Sequence, residues 1–144
     1  MIEASRIAEV LGGEKILKQN IRSLSELDDI VRRGLPKGAL RVVARHLALD
    51  SRTTNRIIYQ IVPEATYKRR RVVLNPTESE RTERLARVIA TAEYVWDDAD
   101  EAKRFLTTPH PLLEGRTPYD AGLTELGARQ VEGILWNLFY GIPA

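Results

Sequence analysis

The chain has no cysteine. That removes disulfides, thiolate metal sites and cysteine nucleophiles together, and it fits a reducing cytoplasm. Histidine is nearly as scarce, with His46 and His110 the only two and far apart in sequence, so a zinc site would have to be built largely from carboxylates. No apolar run reaches the ~18 residues of a membrane helix. The first twenty residues, MIEASRIAEVLGGEKILKQN, mix charge into every apolar segment, unlike a secretory leader. The expectation is a soluble chain that is neither exported nor held at a membrane. A phosphate-binding glycine loop is missing too: LGGEK lacks the GxxxxGK[ST] spacing and follows a helix-like segment, which excludes an ordinary NTPase. Strand signals reduce to the β-branched run VVL at 72–74, short enough to be a linker. There is no internal repeat and no low-complexity tract.

What remains is 144 residues with 43% hydrophobic content, enough apolar surface for one compact domain or two very small ones. The net charge of +2 conceals an asymmetry. Residues 1–80 carry 15 Lys and Arg against 10 acids, a net +5, and residues 81–144 carry 7 against 10, a net −3. A basic front half suits a polyanion partner, though an uneven solvated surface gives the same count.

Helix signals fill the chain. Ser23 and Glu26 have capping-box spacing, and Gly34 is a natural stop for the helix they start. Pro36 fits the first turn of a helix through Leu47, and Ser51 is placed to cap another to about Ile61, where Val62-Pro63 interrupts. EATYKRRR follows as a short helix. Asn75-Pro76 opens a long helix to about Trp96, whose Leu85, Val88, Ile89, Ala92 and Val95 recur at spacings of three and four and predict one buried stripe. Asp97-Asp98 ends it, and EAKRFL is a shorter helix closed by Thr108-Pro109. The last helix carries Leu126, Val131, Ile134, Leu135, Leu138 and Phe139 on a broad apolar face, capped by Thr124 and stopped by Gly141. The fold class is all-α.

Convergent catalytic groups are scarce. His110 lies in a proline-flanked turn and His46 on an amphipathic helix. The acids of WDDADEAKRF lack the glycine and late glutamate of a calcium loop, and acids at a helix start are expected from the dipole alone. The better signal is Lys68-Arg69-Arg70-Arg71. At the end of a short helix set off by a tight Val-Pro break, it has the outline of a helix-turn-helix whose second helix enters the major groove. Lys68, Arg69 and Arg70 would neutralise phosphates, and Thr66 or Glu64 would face base edges, with Tyr67 also on this DNA-binding helix. Basic residues at a helix C-terminus also complement its dipole; the helical context and the regional charge favour DNA.

The second half resembles a known family. Arg84, Leu85 and Arg87; Thr108 and Pro109; Leu113, Gly115, Arg116 and Pro118; Gly127, Ala128, Arg129, Val131 and Glu132; and Tyr140 with Gly141 together resemble the toxin-binding domain of the Xre/MbcA/ParS antitoxins, almost without gaps over 84–144. Residues from about Ser23 to Arg71 resemble, more weakly, the Xre-type helix-turn-helix that precedes it. The resemblance implies an N-terminal extension over 1–22, a DNA-binding domain over 23–75 and a toxin-binding and dimerisation domain over 76–144. It makes HPLLEGRTPYDAG, residues 110–122, a scaffold turn rather than an active site.

It further implies a non-enzymatic, cofactor-free antitoxin that binds a RES-domain toxin, an NAD-degrading enzyme, and represses its own operon through operator DNA. A homodimer is expected from the wide apolar stripes, with Trp136 and Phe139 as anchors. Two routes to toxin inhibition stand open: insertion of the short apolar tip Ile142-Pro143-Ala144 behind Tyr140 and Gly141, or coverage by the helical surface around Arg116, Arg129 and Tyr140. The alternative function is a stand-alone helix-turn-helix regulator with a helical dimerisation domain.

Overall fold

The computed structural model describes residues 1–142. Among these, secondary structure is helical apart from one isolated bridge between Pro36 and Val73, in line with the all-α expectation. α1 (Ala4–Val10) and α2 (Gly13–Leu17) open the chain, followed by α3 (Leu24–Arg33), α4 (Lys37–Arg45), α5 (Ser51–Ile61) and α6 (Glu64–Arg69). Then come the long α7 (Pro76–Trp96), α8 (Ala99–Thr107), a 3-10 turn over Pro111–Leu113, the short α9 (Pro118–Ala121) and α10 (Glu125–Phe139).

Local punctuation accounts for most boundaries. Ser23 caps α3 by accepting the Glu26 N–H at 3.1 Å, but the returning Glu26 carboxylate takes the Arg22 N–H at 2.9 Å instead of the cap residue's own. The cap of α5 falls one residue earlier than expected, because Asp50 accepts the Thr53 N–H at 2.7 Å and its Thr53 hydroxyl at 3.0 Å. A carboxylate with two donors is a better terminator than the neighbouring hydroxyl. Asn75 and Glu78 make the complete reciprocal box on α7, at 2.8 and 2.9 Å, with Pro76 at the first position. The VVL segment is a linker: Val72 O accepts the Lys37 N–H and the Leu74 N–H donates to Leu35 O, both at 2.9 Å.

α7 departs from the single-stripe expectation. Twenty-one residues make it about 32 Å long at 1.5 Å per residue, and α1, α3, α4, α5, α8 and α10 all pack against it. Leu85, Ala86, Val88, Ile89, Ala90 and Ala92 are buried, so the helix is enclosed on several sides. Ala86 and Ala90, which the stripe leaves out, are small enough to let neighbouring helices approach closely. The buried hydroxyls of Thr82 and Thr91 donate back to the Glu78 and Arg87 carbonyls, at 2.9 and 2.8 Å. Ser79 Oγ accepts the buried Leu35 N–H at 2.8 Å, tying the turn between α3 and α4 to the column. One apolar cluster runs from Ile2 to Leu135, and residues 1–22 supply Ile7, Leu11, Leu17 and Ile21 to it.

Candidate nucleic-acid and partner-binding surfaces

α5 and α6 form two short helices with a tight turn. Ile57, Ile58, Ile61 and Val62 are buried beneath it, Pro63 sets the entry angle of α6, and the Arg81 guanidinium donates to the Ile61 carbonyl at 3.4 Å. On α6, Glu64, Lys68 and Arg69 are exposed and Thr66 is half-buried. Lys68 Nζ lies 2.6 Å from Glu64, and that hydrogen bond, with the attendant charge, raises the lysine above its ordinary range. The Arg69 guanidinium donates to Thr66 Oγ1 at 3.3 Å. Glu64 with Lys68, and Thr66 with Arg69, thus form two side-chain pairs along the six residues of α6.

Two members of the expected DNA set point elsewhere. Tyr67 is 6% exposed, its ring edge-to-face with Tyr59 at 6.2 Å and covered by the Lys37 ammonium at 4.4 Å. It is the apolar foot of α6, turned away from the DNA-binding face expected of it, because a six-residue helix needs at least one large side chain to hold it down. Arg70 reaches back to α7 in a two-pronged contact with Glu78, 3.0 Å on each arm. Burial alone would raise the Glu78 carboxyl, but hydrogen bonds from Arg70 and the Asn75 N–H, with the charges of Arg70 and Arg81, hold it below the usual range. Arg70 therefore ties α6 to the column.

Sequence reasoning concentrated on the basic run of α6 and passed over α5. Residues 37–71 hold nine Lys and Arg against Asp50 and Glu64, a net +7 in a chain whose total is +2. A finer charge window would have found this. Both acids are committed, Asp50 to Thr53 and Glu64 to Lys68.

The second surface is built on the 108–122 turn and α10. The turn is closed by its own hydrogen bonds: the His110 N–H donates to Arg116 O at 3.0 Å, the Gly115 N–H to His110 O at 3.2 Å, and the Leu112 N–H to the His110 ring at 3.1 Å. His110 is thus a cap on the 3-10 turn. Glu114 and Gly115 take φ of 57° and 82°, the left-handed region that glycine tolerates best, and Pro118 opens α9 at its first position. Arg116 is exposed, its Nε donating to Leu113 O at 3.2 Å. Tyr119 bonds Gln60 of α5, and burial, then the Asp120 charge, pushes its phenol up to about 12. Gly127 is required by contact: a Cβ there would lie 1.7 Å from the Ala121 carbonyl oxygen, where the first turn of α10 rests on α9.

α10 is clamped to α7 by Arg87, which lies 2.6 Å from Glu132, 3.2 Å from Glu125 and 3.3 Å from Glu83. Burial raises the Glu83 carboxyl despite the Arg87 charge. Burial opposes but does not outweigh the hydrogen bond and charge of Arg87 at Glu125, whose carboxyl sits below its ordinary range.

Toward its end α10 becomes aromatic. Trp136 packs on Tyr94 of α7 at 5.8 Å and on Phe139 at 5.5 Å, and Arg6 covers the Tyr94 ring at 4.6 Å. A hollow of about 280 Å³ there is lined by Ile2, Glu3, Arg6, Tyr94, Trp136 and Tyr140 among others. Trp136 is half-buried against its own domain, whereas Phe139, Tyr140 and Ile142 are 45%, 69% and 52% exposed. Gly141 takes φ 72° after the last turn. Arg129 is exposed with a long contact to Glu125 at 3.4 Å. Eleven residues apart, Arg129 and Tyr140 come round to nearly the same face of α10, about 16 Å apart along the axis. Pro143 and Ala144 of the expected tip lie outside the described residues.

Among the described residues no group of three or more His, Cys, Asp or Glu is placed to hold a metal ion, and no helix is long and apolar enough to cross a membrane.

The fold and its two surfaces define an all-α, helix-turn-helix protein with a second helical binding unit. Comparison with known proteins agrees. A family model for the antitoxin Xre-like helix-turn-helix domain matches residues 26–87, and one for the antitoxin Xre/MbcA/ParS C-terminal toxin-binding domain matches residues 91–141. The chain belongs to the Xre/MbcA/ParS antitoxin family. It is 38% identical over 85 residues to a protein named Antitoxin Xre from Pseudomonas putida (strain KT2440), a match taking in 57% of this chain and 54% of that protein. The alignment thus spans about half the length of the relative.

Proposed function

We propose that this chain is the antitoxin of a type II toxin-antitoxin system: it binds and neutralises a RES-domain toxin that degrades NAD, and it represses its own operon by binding operator DNA. The observation that supports this best is the agreement of two independent partitions. The helix-turn-helix match at 26–87 holds the exposed cations of α6, and the toxin-binding match at 91–141 holds the exposed end of α10. The chain acts by binding in the cytoplasm, with the chemistry left to the toxin. A homodimer fits the apolar residues left open at Leu138 and Phe139.

Lys68 and Arg69 are the phosphate contacts of α6, with Glu64 and Thr66 facing the groove, while Arg116, Arg129, Tyr140 and the tip from Gly141 meet the toxin. Co-expression with a RES-domain toxin encoded next to this chain tests the reading directly. A stable complex that consumes no NAD is the expected result; a toxin that co-purifies with nothing and stays fully active removes it and leaves the stand-alone regulator. Deleting residues 142–144 separates the two inhibition routes. If the complex persists but NAD consumption returns, the tip plugs the active site; if inhibition survives, the α10 surface blocks it.

A further inference from the structure

A hollow of about 360 Å³ lies where the N-terminal stretch, α3, α7 and α10 meet. Ile2 and Ile7 of the N-terminal stretch and Leu27 of α3 give it an apolar wall, and the charged part of its lining comes mainly from α7. Its volume stands at the lower end of the range for ligand pockets, so a fitting occupant is small.

Most of the charge around it is already committed within the fold. Asp28 is paired with Arg32 at 2.9 Å, and Glu83 and Glu125 with Arg87 at 3.3 and 3.2 Å. Left over are one acid and one base, Glu80 and Arg84. They stand four residues apart on α7 with the glutamate first, the order and spacing that favour a helical ion pair. Among the described residues no such pair forms. Arg84 turns instead to α10, its Nη1 donating to Leu123 O at 3.3 Å. Its Nε lies 3.4 Å from Glu125 Oε1 but is buried without a hydrogen bond, and its Nη2 has no acceptor among the described residues. A guanidinium has donors to spare, and leaving them unpaired in a partly buried site costs stability.

We propose that this hollow binds a small aliphatic α-amino acid as its zwitterion, with the carboxylate on Arg84, the ammonium on Glu80 and the side chain against Ile2, Ile7 and Leu27. The two charged residues stand about one helical turn apart, with Cβ atoms roughly 5–6 Å from each other, close enough for one small molecule to reach both. A simple carboxylic acid would leave Glu80 without a partner, and a simple amine would leave Arg84 so. The site also gives the N-terminal stretch a task, since Ile2 and Ile7 belong to the apolar wall. A ligand held there joins that stretch and α3 to α7 and stabilises the folded chain by mass action. The assignment is independent of the toxin and of DNA.

The test uses the full chain, isotope-labelled for amide NMR and titrated with L-leucine to about 10 mM. Isovalerate, isoamylamine and glycine serve as probes that lack the ammonium, the carboxylate and the side chain in turn. Leucine should shift the amides of Ile7, Leu27 and Arg84 and leave those of α8 in place. Each of the other three should bind roughly tenfold more weakly or worse, the loss of one charge-assisted hydrogen bond or of one buried aliphatic side chain. Glu80→Gln, at an exposed position, should leave the melting temperature of the free chain unchanged and weaken leucine by a similar factor. A probe that binds as tightly as leucine overturns the zwitterion, and so does a Glu80→Gln chain that binds leucine like the wild type. If no amide around the hollow moves, the site itself is wrong.

Discussion

The two ends of this molecule use the same residue types in opposite ways. Around α5 and α6 the arginines Arg52, Arg56 and Arg69 point outward and the large aromatic, Tyr67, is buried. Around α7 and α10 the arginines Arg84 and Arg87 are turned inward, 21% and 20% exposed and bound to Glu83, Glu125 and Glu132, while Phe139 and Tyr140 face solvent. Charge available to a polyanion marks one surface, and apolar area available to a protein marks the other. An arginine's role is thus set by whether carboxylates can reach it, which composition alone does not tell.

The largest effect is expected at the inward arginines. Arg87→Ala removes the common partner of three carboxylates, two of them over 80% buried, and should destabilise the fold by about 3–5 kcal/mol, read as a shift of the urea midpoint at constant slope. A loss under 1 kcal/mol would mean the cluster is hydrated and the contrast between the two ends is overstated.

The next test is pH. Asp50, Glu78 and Glu125 are held below their ordinary pKa. The stability they contribute is present above the unfolded value and is lost as pH falls through the carboxylate range, between about pH 5 and 3. Glu83 is raised and works in the other direction, so its protonation returns part of that loss. The melting temperature should fall over this window, and Glu125→Gln should flatten the fall. An equal fall in the variant would show that Glu125 is not held by Arg87 in solution.

At the apolar end, Phe139→Ala should weaken self-association by roughly 2 kcal/mol if Phe139 anchors the dimer, measured by sedimentation equilibrium; an unaltered dimer moves the interface elsewhere. The smallest effect is expected at Gly133, which sits within α10 with nothing within 4 Å of where a Cβ would stand. Gly133→Ala should raise the stability of the free chain by about 0.5–1 kcal/mol. A decrease would mean that another surface already rests there in solution.

Much of this was legible in the sequence, and for a common reason. Asn75 with Glu78, Thr124 with Gly127, and Gly34 and Gly141 at helix ends all act within three or four residues. Hydrogen bonds that short in sequence depend on local geometry, so caps and stops can be read from spacing. The same holds for the all-α class, the Val-Pro break before α6 and the start of the long helix. Three things needed the folded chain. The enclosure of α7 depends on which helices surround it, and the buried Ala86 and Ala90 lie outside its periodic stripe. The inward turn of Tyr67 and Arg70 depends on Tyr59, Lys37 and Glu78 being close in space. The pairing of Arg87 with Glu125 and Glu132, and of His46 with Glu93 at 2.8 Å, joins residues 38 to 47 positions apart. The sequence by itself settled where α3, α7 and α10 begin and that the two parts of the chain differ in charge. Only tertiary packing decided which cations are consumed inside the fold and which remain outside to bind, because that choice belongs to neighbours the chain acquires after its helices have formed.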